Sequence, residues 1–131
     1  MRRDPSLLVG IIDDDESLCR ALERLLRAAG IRSMSYPSAE AFLMDPGRSR
    51  FNCLVVDIQL SGSSGIELHQ MLVASGSTTP VIFNTAHDRP DLREIAMRTG
   101  CSGYLRKTES GDAVLAAIER ATRAPPRQSA S

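Results

Sequence analysis

The sequence predicts one α/β domain built on a doubly wound, five-stranded parallel sheet. Two observations predict this fold class. Short apolar runs alternate with amphipathic segments between Leu7 and Thr122, which is typical of parallel strands joined by crossover helices. The chain has 131 residues, a length that suits a single domain. Right-handed crossovers would then place helices on both faces of the sheet.

The predicted elements follow one another in strict alternation. The strands are expected at residues 7–12, 31–36, 53–56, 81–83 and 103–105. The helices are expected at residues 16–29, around 41–43, at 66–74, from 90 to about 100, and at 110–122. Gly30 and Gly100 are natural C-terminal stops, Ser38 can cap the second helix, and Pro90 suits the first turn of the fourth.

Composition and charge limit what the chain can do. Sixteen basic residues balance sixteen acidic ones, so we expect no direct binding of nucleic acid or of an anionic membrane. The longest apolar runs are far shorter than a membrane span, and the N-terminus lacks the pattern of a signal peptide. We therefore expect a cytoplasmic protein. Residues 1–123 form the predicted domain, and residues 124–131 read as a disordered tail or a truncated linker.

Cysteine and histidine do not form a metal-binding pattern. The three cysteines are widely spaced and include no C-x-x-C pair, which argues against a disulfide framework and a structural zinc site. His69 is predicted on a helix and His87 in a loop. We expect both histidines to face solvent.

Polar residues follow four of the five predicted strands. Asp13, Asp14 and Asp15 follow the first strand, and Asp57 follows the third. The fourth and fifth strands lead to a hydroxyl and an ammonium group, Thr85 and Lys107. Ligands of open parallel sheets bind outside the carboxyl ends of the strands, so we expect these side chains to converge on one edge.

This set of groups favours phosphoryl chemistry. Clustered carboxylates repel one another unless a cation is present, and oxygen ligands without His or Cys suit Mg²⁺. An ammonium group and a hydroxyl can stabilise the oxygens of a phosphoryl group. An aspartate can serve as the nucleophile and form an aspartyl phosphate.

Four short segments that end in or contain these polar residues, taken in their order along the chain, resemble the receiver domains of two-component response regulators. The residues that carry the resemblance are Ile12-Asp13-Asp14, Leu54-Val55-Val56-Asp57, Thr85-Ala86 and Lys107, at the spacing that they have here. Residues 38–43, with the sequence Ser-Ala-Glu-Ala-Phe-Leu, resemble the FixJ-like branch in particular. The resemblance covers about residues 7–122 and implies the flavodoxin-like (βα)₅ fold.

The resemblance also implies roles for individual residues. Asp57 matches the phosphoacceptor. Asp13 and Asp14 match the acidic pair that holds Mg²⁺, one directly and the other through water, and the backbone carbonyl of Gln59 matches a further protein ligand. The resulting metal set is Asp13, Asp14, Asp57 and Gln59.

The remaining matches concern switching. Thr85 matches the hydroxyl that moves toward the phosphoryl group, Lys107 the ammonium that contacts it, and Tyr104 an aromatic rotamer switch. The switch would change a face formed by the fourth helix, the fifth strand and the last helix. His87, two residues after Thr85, is placed to influence hydrolysis.

The resemblance implies partners rather than substrates. The chain would accept its phosphoryl group from a histidine kinase and act on a downstream protein or on an output domain that this sequence lacks. A homodimer through the switch face is also expected. The chain would then be no enzyme, apart from catalysing its own phosphorylation and dephosphorylation.

Two departures from the receiver pattern affect its loops. Thr108 stands where the family usually has a proline with a cis bond, so we expect a trans or strained bond and a less rigid loop. Ser61 and Ser63 replace a usual proline and methionine after the phosphoacceptor, which predicts a more flexible loop.

Two alternatives stay open from the sequence. Asp13-Asp14-Asp15 also resembles the nucleophile motif of haloacid-dehalogenase-like phosphatases, although no later acidic pair follows Lys107. A pseudo-receiver, with the same fold used as a phosphorylation-independent binding module, is the second.

Overall fold

The computed structural model describes residues 7–60, 64–86 and 89–123. The expectations for the loop residues Ser61 and Ser63, for His87 and for the tail at 124–131 lie outside the described residues.

The described residues form the alternating elements that the sequence predicts. The strands are β1 (Leu8–Ile12), β2 (Arg32–Tyr36), β3 (Cys53–Val56), β4 (Val81–Thr85) and β5 (Gly103–Arg106). The helices are α1 (Glu16–Ala28), α2 (Ala39–Leu43), α3 (Gly65–Ala74), α4 (Pro90–Thr99) and α5 (Gly111–Arg123). One short 3₁₀ turn, Arg48–Arg50, was not predicted. The ends of most elements differ from prediction by one or two residues.

The sheet is entirely parallel and has the strand order β2-β1-β3-β4-β5. Every residue of β1, β3 and β4 is buried, as expected for strands with helices on both faces. β2 lies at an edge and alternates between exposed and more buried positions. The doubly wound fold is confirmed.

Two hydrophobic cores lie on opposite faces of the sheet. The α1/α5 face joins the strand residues Val9, Val55 and Ile82 to side chains of α1 and α5. The α2–α4 face joins Ile12 and Phe83 to side chains of α2, α3 and α4. Successive strand residues alternate between the two cores, so a strand residue's position fixes the face on which its side chain lies.

His69 corrects one expectation. It was expected to face solvent, but the residue is only 3% exposed, and its ring meets Phe83 edge-on with 5.6 Å between centroids. The physical reason is helical spacing: His69 follows the buried Ile66 by three residues on α3, so both lie on the inner side of the helix.

No helix among residues 7–60, 64–86 and 89–123 is long and apolar enough to cross a membrane.

Candidate functional site

The ends of the strands bring the predicted site residues to one edge of the sheet. The Asp57 amide donates to the carbonyl of Ile12 at 2.9 Å, and the Lys107 amide donates to the carbonyl of Thr85 at 2.8 Å. Asp57 is 6% exposed and Thr85 is 1% exposed. Backbone hydrogen bonds between the parallel strands therefore fix the positions of these residues independently of their side-chain contacts.

Lys107 joins two of the carboxylates. Its Nζ lies 3.0 Å from Oδ2 of Asp13 and 3.1 Å from Oδ2 of Asp57. The Lys107 side chain is 17% exposed, and the two carboxylates are almost fully buried. Contacts between charged groups in such a partly desolvated place are stronger than at an open surface.

Burial and charge shift the pKa values in this cluster. Burial raises the pKa of Asp13 and outweighs the hydrogen bonds from the Asp15 amide and from Lys107, while the charge of Asp57 raises the pKa further. Burial acts to lower the pKa of Lys107, but its contacts with Asp13 and Asp57 prevail and raise it. The ammonium is thus held in its charged form.

Three carboxylates could hold a cation. Asp13, Asp14 and Asp57 each offer an oxygen within 4.8 Å of the others, and Asp14 is the exposed member. The Gln59 amide donates to Oδ1 of Asp57 at 3.2 Å, which keeps the Gln59 backbone beside the cluster. This all-oxygen, partly solvent-accessible donor set fits Mg²⁺, a cation that retains several of its waters.

Gly65 lies against the backbone of Asp57, a contact that the sequence did not reveal. A Cβ at this position would lie 2.1 Å from the Asp57 carbonyl oxygen, and the Gly65 amide donates to the carbonyl of Ile58 at 2.8 Å. Ser64 and Glu67 form a reciprocal capping box at this end of α3. The capping sequence was visible, but the close approach depends on tertiary packing.

Tyr104, the predicted switch residue, lies on β5 beside β4. It pairs with Phe83, and the two rings are 6.4 Å apart. The ring is half-buried and its hydroxyl oxygen is buried. The guanidinium carbon of Arg93 lies 5.4 Å from the ring centre. Tyr104 therefore connects β4 with the exposed surface of α4.

The turn after Lys107 is closed by local hydrogen bonds. The Arg106 amide donates to Oε2 of Glu109 at 3.0 Å, and the Glu109 amide donates to the carbonyl of Arg106 at 2.9 Å. The bond between Lys107 and Thr108 is trans. Whether this loop is less rigid than a proline-containing one stays a prediction.

Comparison with known proteins identifies the class that the fold and site define. The family model described as "Response regulator receiver domain" matches residues 9–119, and the chain belongs to this family. The match excludes the dehalogenase-like alternative.

The relatives place the chain in the FixJ-like branch. It is 37% identical to the transcriptional regulatory protein FixJ of Bradyrhizobium diazoefficiens over 114 residues, which cover 86% of this chain and 55% of FixJ. It is 30% identical to the response regulator protein TmoT of Ectopseudomonas mendocina over 125 residues, covering 95% of this chain and 57% of TmoT. The chain thus spans about half the length of these curated relatives.

Solved structures agree with this placement. FixJ-N superposes with a TM-score of 0.83 at 28% identity, covering 96% of this chain and 99% of FixJ-N. The response regulator StyR has a TM-score of 0.82 at 35% identity, covering 90% of this chain and 60% of StyR. The receiver fold is therefore confirmed by sequence and by structure.

Proposed function

We propose that this receiver domain accepts a phosphoryl group from a histidine kinase on Asp57, with Mg²⁺ bound beside it. The observation that carries the proposal is the placement of the Lys107 ammonium 3.1 Å from a buried Asp57 carboxylate and 3.0 Å from Asp13. We place this exchange in the cytoplasm, as the sequence predicts.

The transfer requires one bond to form and one to break. An oxygen of the Asp57 carboxylate bonds to phosphorus while the bond from phosphorus to the kinase histidine nitrogen breaks, and that nitrogen keeps the electron pair. Such a reaction depends chiefly on positioning and charge neutralisation. The buried strand end supplies the positioning, because the Asp57 backbone is held by the Ile12 carbonyl.

Lys107 and Thr85 would stabilise the transferred group. Lys107 already contacts the acceptor carboxylate, so its ammonium can pass to a phosphoryl oxygen without a large displacement. Thr85 ends the next strand along the edge and carries the hydroxyl that would donate to the phosphoryl group.

Asp13, Asp14, Asp57 and the carbonyl of Gln59 would hold Mg²⁺. When bound, the ion would neutralise charge that develops on the phosphoryl oxygens. The three acids outnumber the single Lys107 ammonium at this edge, so the cluster favours a cation.

The output would pass through the face formed by α4, β5 and α5. Tyr104 lies in this face, and Arg93 and Arg106 are exposed on it. We propose that a downstream protein, an output domain or a second copy of the chain binds there. The relatives named above are regulatory proteins, and the matched residues cover only 55% of FixJ and 57% of TmoT.

Intact-mass spectrometry tests the proposal. Wild-type protein incubated with acetyl phosphate and Mg²⁺ should gain the mass of one phosphoryl group, and omission of Mg²⁺ should prevent the gain. Asp57→Asn should gain nothing. The matched control is Asp112→Asn, which alters an exposed acid in the first turn of α5 and should behave like the wild type. A wild type that takes up no phosphoryl group would favour the phosphorylation-independent binding module instead.

A further inference from the structure

We propose that Asn84 is a positioning residue of this site, whose buried amide oxygen accepts a hydrogen bond from the Lys107 ammonium when a phosphoryl group occupies Asp57. The inference rests on the proposed function and adds a residue that is not among the acids, the hydroxyl and the ammonium described above.

The first observation is an unpaired buried acceptor. Asn84 is 3% exposed, and its Oδ1 is buried with no hydrogen-bond partner among residues 7–60, 64–86 and 89–123. Buried side-chain acceptors are nearly always paired, because an unpaired one destabilises the fold. A leucine would fill a similar volume without this cost, so the amide calls for a role beyond packing.

The second observation is the face of the sheet on which Asn84 lies. Ile82 belongs to the core of the α1/α5 face and Phe83 to the opposite core. Alternation along β4 then places Asn84 on the α1/α5 face. Val55 and Leu105 belong to the core of that face. Asp57 and Lys107 each follow one of these residues by two positions, so they lie on the same face as Asn84.

The pairing register places Asn84 between the two charged residues. Val56, which precedes Asp57, pairs with Phe83, which precedes Asn84. On the other side, Asn84 pairs with Leu105, two residues before Lys107. The Lys107 side chain must therefore cross the end of β4 on the face of Asn84 to reach Asp57 and Asp13.

The chemistry of the two groups is complementary. An ammonium has three N–H donors, and Lys107 directs them to Asp13 and Asp57. A phosphoryl group on Asp57 would draw Lys107 away from the carboxylate toward phosphoryl oxygens. An amide oxygen beneath the side chain keeps an acceptor for the ammonium and, being neutral, adds no repulsion toward the phosphoryl group.

The test is Asn84→Leu, with rate and stability measured together. Loss of a hydrogen bond to a charged group predicts about tenfold slower phosphorylation by acetyl phosphate, with unchanged Mg²⁺ affinity. Removal of an unpaired acceptor predicts a Tm equal to or above that of the wild type. An asparagine with a merely structural role would instead show a lowered Tm and an unchanged rate.

A double-mutant cycle shows whether Asn84 acts through Lys107. In a Lys107→Ala background, Asn84→Leu should have no further effect on the rate. The matched control is Ile82→Val on the same face of β4, whose effect should be the same with and without Lys107. Independent, additive effects of Asn84→Leu and Lys107→Ala would overturn the proposal.

A spectroscopic measurement separates this inference from the proposed function. With beryllofluoride bound in place of a phosphoryl group, the Lys107 ammonium protons should exchange with water more slowly in the wild type than in Asn84→Leu, and Ile82→Val should match the wild type. This comparison needs no phosphoryl transfer. Equal exchange in all three beryllofluoride-bound proteins would overturn the role of Asn84, whereas failure of the wild type to accept a phosphoryl group from acetyl phosphate would overturn only the proposed function.

Discussion

Asp13 is a carboxylate that is 3% exposed and shares Lys107 with the buried Asp57. Burial raises the pKa of Asp13, hydrogen bonds from Asp15 and Lys107 only partly offset this, and the Asp57 charge adds to it. Its ionised form therefore destabilises the fold above the raised pKa. At the residue scale, the proposed cation site therefore carries a folding cost.

Replacement of this carboxylate should separate stability from metal binding. At neutral pH, Asp13→Asn should raise Tm by about 3 °C, because it removes a buried charge. The gain should shrink as the pH falls toward the ordinary carboxyl value of 3.8, because the wild-type group is then protonated as well. Calorimetry should show Mg²⁺ affinity lowered at least about tenfold.

Asp15→Asn is the matched control. Asp15 caps α1 and lies outside the three-carboxylate cluster, and Asn caps helices as well as Asp does. This variant should keep the Mg²⁺ affinity and the Tm of the wild type. Equal loss of Mg²⁺ binding in both variants would count against a specific role of Asp13.

Single residues also show where sequence reasoning reaches its limit. Asp13 and Asp57 were identifiable because each directly follows an apolar run, and Lys107 because it lies just past the short predicted strand at 103–105. The structure brings the three together. Asn84 and Gly65 were not identified. Their roles depend on which atoms of neighbouring strands and helices come within contact distance, and periodicity in one chain does not reveal this.

At the scale of single elements, the N-terminus of α3 supports the backbone of Asp57, the proposed acceptor. The capping box of Ser64 and Glu67 fixes where the helix begins, and Gly65 lets that first turn approach the Asp57 backbone. The helix therefore limits how far the acceptor strand can move.

Gly65→Ala should therefore harm both stability and function. The new Cβ would lie 2.1 Å from the Asp57 carbonyl oxygen, so either the helix or the acceptor must shift. We expect a loss of about 2–3 kcal/mol in the free energy of unfolding and slower phosphorylation. Urea unfolding and the acetyl phosphate reaction measure the two effects.

Gly76→Ala, just after the C-terminal end of α3, is the matched control for Gly65→Ala. Gly76 has a φ of 89°, and a Cβ at this position would meet no atom within 4 Å, so alanine there brings backbone strain without a clash. It should cost about 1 kcal/mol and leave the phosphorylation rate unchanged. A Gly65→Ala protein that phosphorylates as fast as Gly76→Ala would remove the support role from α3.

Element types were easier to predict than element ends. The all-apolar composition of β1 and β3 indicated central strands, and both are buried throughout. The turn at Arg48–Arg50 was missed because it follows Asp45-Pro46-Gly47, which reads as a plain break. The carbonyl of Asp45 accepts from the Arg48 amide, and its side chain accepts from the Gly47 amide. Such local hydrogen bonds leave no periodic pattern in the sequence.

At the scale of the whole molecule, one path connects the acceptor edge with the outer face. Thr85 and Phe83 lie on the same face of β4, and Phe83 pairs with Tyr104 on β5. Tyr104 in turn lies beneath the Arg93 guanidinium on α4. Phe83, Tyr104 and Arg93 lie next to one another in turn, so we propose that a rearrangement around Asp57 reaches α4 through them.

Beryllofluoride, a phosphoryl mimic, should make this coupling visible. Amide NMR signals should shift around Asp57 and also at Tyr104, in α4 and in α5. Tyr104→Phe, which removes only the hydroxyl, should still shift around Asp57 but less in α4. Shifts confined to the neighbourhood of Asp57 would mean that the domain binds the group without switching through this face.

The overall topology was predictable because connection rules leave few ways to join five parallel strands. The strand order β2-β1-β3-β4-β5 puts Asp13 and Asp57 directly after the ends of two neighbouring strands, β1 and β3, and this adjacency explains why two distant sequence motifs form one site. The two-sided core was less visible, and His69 shows why: its burial against Phe83 depends on how α3 lies on the sheet.

The most direct test of the central claim locates the phosphoryl group on the chain. The wild-type protein would be phosphorylated with acetyl phosphate and Mg²⁺, then treated with borohydride, which reduces an aspartyl phosphate to homoserine. Peptide mass spectrometry should find homoserine at position 57 and at no other aspartate. Homoserine at Asp13 or Asp14, or no conversion at any position, would contradict the assignment of Asp57 as the phosphoacceptor.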